Sequence, residues 1–152
     1  MKKIALLLTL ATSIGLAACS GAPAEVAKGP NAEARTAAFK KMMPDFSSMG
    51  KMVKGEEAYD AEKFKAAAAS FAQLSQEPFK HFTSDGEGKD GDSLPNIWTD
   101  AEKFKAEETK FADAVVVLNE KAQAGNLEEI KVAYGNTGAT CKSCHDTFRR
   151  PK

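Results

Sequence analysis

The stretch LEEIKVAYGNTGATCKSCHDTF, residues 127–148, decides the fold. Leu127, Ile130, Tyr134, Thr137, Cys141, Cys144 and Phe148 recur in it at alternating spacings of three and four. An α-helix turns once in about 3.6 residues, so side chains spaced this way line one face. The pattern is a heptad seam of the kind that faces the core of a helical bundle. Asn126, just before it, is a good N-cap with Glu129 three residues on, and Gly125 marks the stop of a preceding helix.

Working toward the N-terminus, the same logic finds three more helices. Phe104, Phe111, Val115, Leu118 and Ala122 form the buried face of one, and Thr99-Asp100-Ala101-Glu102 reads as its capping box. Another starts at Asp60, buries Phe64, Ala67, Ala68, Phe71 and Leu74, and ends at Pro78. Residues 79–96, rich in Gly, Asp, Lys and Ser, read as a solvated loop. The first segment runs from about Asn31 to Val53, with Arg35, Phe39, Met42 and Phe46 on one face. Pro44 lies inside it, and the lost hydrogen bond and ring clash, about 3 kcal/mol in an ideal helix, predict a kink there. The stretch Gly50 to Gly55 should then loosen the chain. Asp60–Ala66 is repeated as residues 100–106, which reads as two similar amphipathic helices with one start signal. The expected fold class is all-α, an antiparallel up-down-up-down four-helix bundle.

The chain has 152 residues, enough for one domain. Residues 1–18 read as a signal peptide: Lys2 and Lys3 precede a short apolar stretch from Ile4 to Leu16, too short to span a bilayer. Leu16-Ala17-Ala18-Cys19 resembles the lipobox of bacterial lipoproteins, in which the cysteine is lipidated; ordinary cleavage near Ala22-Pro23-Ala24 is the other reading. Residues 19–30 read as a tether and 31–152 as the folded domain. Without residues 1–18 the chain keeps 19 Lys and Arg against 21 Asp and Glu, so it has no basic excess for nucleic acid.

Cys141-Lys142-Ser143-Cys144-His145 carries the chemistry. At about 100° per residue, positions 141, 144 and 145 fall near one helical face. Two thiols so placed can reach the two vinyl groups on one edge of a haem, and the imidazole beside them can rise to its iron. The motif therefore predicts one covalent haem c per chain. A thioredoxin-like redox pair would sit near a βαβ pattern, which is absent. Zinc needs about four ligands, and only a distant His81 could join the set. His81 reads as a solvent-exposed loop residue, Trp98 as packing near the haem edge, and Met42, Met43, Met49 and Met52 as core filler before iron ligand.

The motif stands eight residues from the C-terminus, and CKSCHDTFR at 141–149 resembles the terminal signature of cytochrome c′, the class II c-type cytochromes. Met52–Glu56, Tyr59–Ala61 and Pro95–Trp98 also resemble segments of that family, in its order. The resemblance covers about residues 31–151. It implies a bundle with covalent haem and five-coordinate, high-spin iron, with His145 as its one strong axial ligand. It puts Phe39 over the opposite face, Arg35 near the propionates and Arg149 near the proximal face. Residues 35 and 39, and 145 and 149, are i,i+4 pairs, which agrees with those placements.

An apolar distal pocket offers bound oxygen no hydrogen bond, whereas nitric oxide and carbon monoxide need none. The leading expectation is a periplasmic gas-binding protein, with nitric oxide scavenging or sensing as its role, tethered through Cys19 to the outer membrane of a Gram-negative bacterium. The alternative is a periplasmic electron carrier with six-coordinate haem and an unidentified redox partner. No evident acid–base group stands near the expected distal face, so an enzyme is not expected. The resemblance also implies a homodimer through the first two helices, with a monomer as the other state.

Overall fold

The structure, a computed structural model, describes residues 26–151. The expected signal segment, Cys19 and most of the expected tether lie outside the described residues. The elements are α1 (Pro30–Val53), α2 (Ala61–Leu74), a 3-10 turn (Pro78–His81), the short α3 (Asn96–Thr99), α4 (Ala101–Ala124) and α5 (Leu127–Phe148). Among the described residues there is no β-strand, only isolated bridges joining Lys28 to Asp90 and Ser93 to Arg149. The long helices close a ring: α1 packs on α2, α2 on α4, α4 on α5, and α5, most sparsely, back on α1.

Local chemistry explains the helix ends. Asp60 caps α2 by accepting from the Lys63 amide (3.0 Å). Gly125 stops α4 with φ 81°, a conformation costly for residues with a Cβ. Asn126 starts α5 by accepting from the amides of Glu128 and Glu129. The N-cap of α1 is Gly29, which has no side chain to offer, and its place is taken across the fold by Asp85. That carboxylate accepts from the amides of Asn31 (3.0 Å) and Ala32 (2.7 Å).

Two expectations need correction. Thr99 does not cap the third long helix. Pro95–Trp98 lead into a helical turn of their own that buries Ile97, so Thr99 ends α3 and its hydroxyl donates to the Pro95 carbonyl. Asp100 then takes the N-cap position of α4, without a side-chain hydrogen bond. α1 runs through Pro44, where a kink is expected, and is helical on both sides of it. Burial of Met42, Met49 and Met52, each favourable by about 1.5–3 kcal/mol, outweighs the single missing hydrogen bond. The segment after Pro78 is not simply a solvated loop. Pro78 is buried and opens the 3-10 turn, and Phe79 and Phe82 pack inward.

The core has two parts. The larger joins Met42, Met49, Met52, Phe64, Phe71, Phe111, Leu118 and Ile130. The smaller joins Ile97, Phe104 and Phe148 at the end of the bundle where α5 finishes. The predicted buried faces of α2 and α4 are found there, apart from Leu74, which is partly buried.

Candidate haem site

The last turns of α5 carry the site. Cys141 packs against the larger core and Cys144 against the smaller, so the two thiols straddle the boundary between them. Burial pushes both thiols up; Cys144, with the Glu107 charge nearby, is raised to about 11. Glu107 is itself buried on α4. It accepts hydrogen bonds from Ser143, between the two cysteines, at 2.8 Å and from Lys110 at 2.6 Å. These bonds hold its carboxyl below the usual carboxylate range, Lys110 contributing more.

His145 is exposed, and its ring meets the Phe39 ring edge-on across the α1–α5 seam, centroids 6.4 Å apart at 73°. Phe39 is also met edge-on by Phe79 (6.2 Å) and Phe82 (6.4 Å). Arg35, one turn before Phe39, is buried at 5% exposure. It donates to the carbonyls of His81 (2.6 Å) and Asp90 (3.0 Å), and its guanidinium lies over the Phe82 ring at 4.7 Å. Burial lowers its pKa, with Asp90 and Asp85 opposing the shift. Arg149 caps the end of α5, its amide donating to the His145 carbonyl and its guanidinium pairing with Asp92 at 3.0 Å.

The structure thus gathers Arg35, Phe39 and His145 around one aromatic cluster, with the thiols on the same helix as the imidazole. Arg149, at the end of the same helix, is held by Asp92. His81 is half-buried on the 3-10 turn, with Nε2 3.4 Å from Glu77 Oε1, and so is less exposed than the sequence suggests. Trp98 donates its indole N–H to the Phe82 carbonyl (2.6 Å). Met42, Met49 and Met52 are core residues and Met43 faces outward. Phe79 and Phe82 are the neighbours that sequence reading missed, because a single pair spaced three apart in a polar stretch carries no period.

The donor set fits a haem. Two half-buried thiols and an exposed imidazole lie within two turns of one helix, on the sparsest seam of the bundle. An apolar ring faces the imidazole, and a buried guanidinium is one turn from that ring. Arg35 has five N–H donors and spends two on carbonyls, so it keeps capacity for an anionic group. Among the described residues, no group of three or more His, Cys, Asp or Glu is placed to hold a metal ion by itself.

Comparison with known proteins agrees. The family model described as cytochrome c′ matches residues 31–149. Cytochrome c′ of Alcaligenes xylosoxydans xylosoxydans is 40% identical over 118 residues, which covers 78% of this chain and 91% of that relative. The crystal structure of cytochrome c′ from Rubrivivax gelatinosus, 34% identical, matches with a TM-score of 0.76 over 80% of this chain and 96% of that one. A nitric oxide complex of a mutant of cytochrome c prime from Alcaligenes xylosoxidans, 38% identical, matches at 0.75 over 80% and 94%. A family match across the whole bundle, ending on the Cys-x-x-Cys-His helix, makes this chain a member of the cytochrome c′ family, with covalently attached haem c as its cofactor.

Proposed function

We propose that the protein binds nitric oxide and carbon monoxide at a five-coordinate, high-spin haem iron and serves in nitric oxide scavenging or sensing. The observation that carries this reading is the apolar Phe39 ring meeting His145 from α1, with the Phe79 and Phe82 rings beside it. Haem, when bound, supplies an iron that takes a diatomic ligand. Cys141 and Cys144 hold the haem by thioethers and keep it from being lost. His145, carried by α5, would ligate the iron. Phe39 shields the opposite face from water and from competing ligands. Arg35 would meet the anionic groups of the haem, and Arg149, one turn beyond His145, would stand on the histidine side. The nitric oxide complexes solved for the Alcaligenes xylosoxidans protein support the ligand class.

The test is an optical spectrum of the ferrous protein with and without carbon monoxide. A five-coordinate, high-spin spectrum that shifts on adding the gas is expected. A spectrum already six-coordinate and indifferent to carbon monoxide would reject gas binding in favour of an electron carrier. Attachment is tested separately by acid–acetone extraction. Haem should stay with the wild type, remain on one thioether in Cys141→Ala or Cys144→Ala, and leave the double variant.

The same reading makes residues 1–18 a signal peptide and Cys19 a lipid anchor, which would hold the haem domain in the periplasm at the outer membrane. No described helix is long and apolar enough to cross a membrane. Detergent-free fractionation of the native host should release Cys19→Ala and retain the wild type; equal release would sink the anchor. A homodimer through α1 and α2 belongs to the same proposal, and sedimentation of the haem-loaded protein decides between it and a monomer.

A further inference from the structure

Phe39 is boxed in by other rings. Phe79 and Phe82 each meet it edge-on, at interplanar angles of 74° and 79°. Edge-to-face pairs are favourable beyond their buried area, and each fixes an orientation. A ring on a helix has two torsions to turn about, so its freedom depends on what stands beside it. Phe79 and Phe82 cannot simply retreat. Phe79 is backed by Phe104 (6.4 Å) and Phe111 (5.8 Å), and Phe82 by Phe104 (4.7 Å).

Their backbone is held just as firmly. Pro78 opens the turn with a fixed φ and is buried. The His81 carbonyl accepts from Arg35, and the Phe82 carbonyl accepts from Trp98. Arg35 also lies over the Phe82 ring. Arg35 and Phe39 are one turn apart on α1, so the helix that carries the lid also grips the turn that blocks it.

We infer that Phe79 and Phe82, on the turn between α2 and α3, limit how far the Phe39 ring can swing and so set the rate at which a diatomic ligand reaches the iron. Arg35 and Trp98 are positioning residues that act through this turn. The inference rests on Phe39 covering the distal face, and the experiment separates the two. Carbon monoxide association with the ferrous, haem-loaded protein is measured by flash photolysis for Phe39→Ala, Phe79→Leu, Phe82→Leu and the two double variants that include Phe39→Ala. Leucine keeps most of the apolar volume, and an unchanged high-spin spectrum shows that the haem environment is intact.

Loss of one ring pair should speed association roughly two- to tenfold in Phe79→Leu and Phe82→Leu. It should add little once Phe39 is alanine. As an independent readout, carbon-13 labelled phenylalanine NMR of the diamagnetic carbon monoxide form should show faster flipping of the Phe39 ring in both leucine variants. If Phe39→Ala accelerates binding while the leucine variants do not, the inference fails and the lid reading stands. Equal acceleration with and without the Phe39 ring also overturns it, because the two rings would then act directly. If Phe39→Ala itself changes nothing, the lid reading is what fails.

Discussion

Gly50 is buried in α1 against Tyr134 of α5. A Cβ built there would lie 2.3 Å from the tyrosine oxygen and 3.1 Å from Cζ. The ring has little room to yield, because it stacks on Phe46 (4.3 Å) and its hydroxyl donates to the Phe46 carbonyl (3.2 Å). Two effects oppose each other in Gly50→Ala. The backbone gains about 1 kcal/mol of helix propensity, while overpacking costs about 1–3 kcal/mol. The clash should win, and urea unfolding should show a net loss. In a Tyr134→Phe background the worst contact is gone, so the same substitution should cost less or change sign. An equal loss in both backgrounds would contradict this account. In the sequence, Gly50 reads as the start of a loosened stretch. Only Gly55, with φ 75°, plays that part. A glycine that makes room and a glycine that makes a turn look alike until the partner helix is known.

α5 is the most legible element, because its period of three and four runs unbroken from Leu127 to Phe148 and its N-cap, Asn126, is local. α3 and the 3-10 turn were hidden for the opposite reason. Each is four residues long, too short to show a period, and each is stabilised by contacts distant in sequence. The failed capping box teaches the same thing, since Thr99 had the right neighbours but was already committed to α3. A weakness of α5 was also readable. Gly135 and Gly138 each cost about 1 kcal/mol relative to alanine. Nothing lies within 4 Å of a Cβ at Gly135, so Gly135→Ala should raise stability by about that amount. Because Cys141, Cys144 and His145 all sit beyond these glycines, the cofactor-free chain should lose order there first. Hydrogen exchange should show residues 134–148 less protected without haem. Equal protection in both forms would refute it, and the Gly135→Ala chain should recover part of the difference.

Across the whole molecule, the crossover between α2 and α4 ties the two ends of the bundle domain together. Residues 27–29, at the end of the expected tether, pair with 89–91, while Asp92 and Leu94 bond to Arg150 and Phe148 at the end of α5. Asp85 is the centre of this strap. It accepts from the amides of Asn31 and Ala32 and from the Asn31 side chain, and its own amide donates to Asp90. Gly29 is required for this approach, since a Cβ there would stand 2.6 Å from the Asp85 side chain. No local pattern could reveal a cap supplied from more than fifty residues away. Burial works against charge on Asp85, but the Ala32 and Asn31 bonds, with Arg35 nearby, hold its carboxyl below the usual range. A depressed carboxylate stabilises the fold above its unfolded pKa, and that contribution is lost as pH falls through its folded pKa. Wild type should therefore be more stable than Asp85→Asn at neutral pH, and the gap should close on acidification below the ordinary aspartate range. The loss should be local as well as global, with exchange rising first at residues 28–35 and 85–91. Urea titrations of both proteins across that range check the sign: a gap that persists at the acidic end would mean that the carboxylate's charge is not what holds the strap.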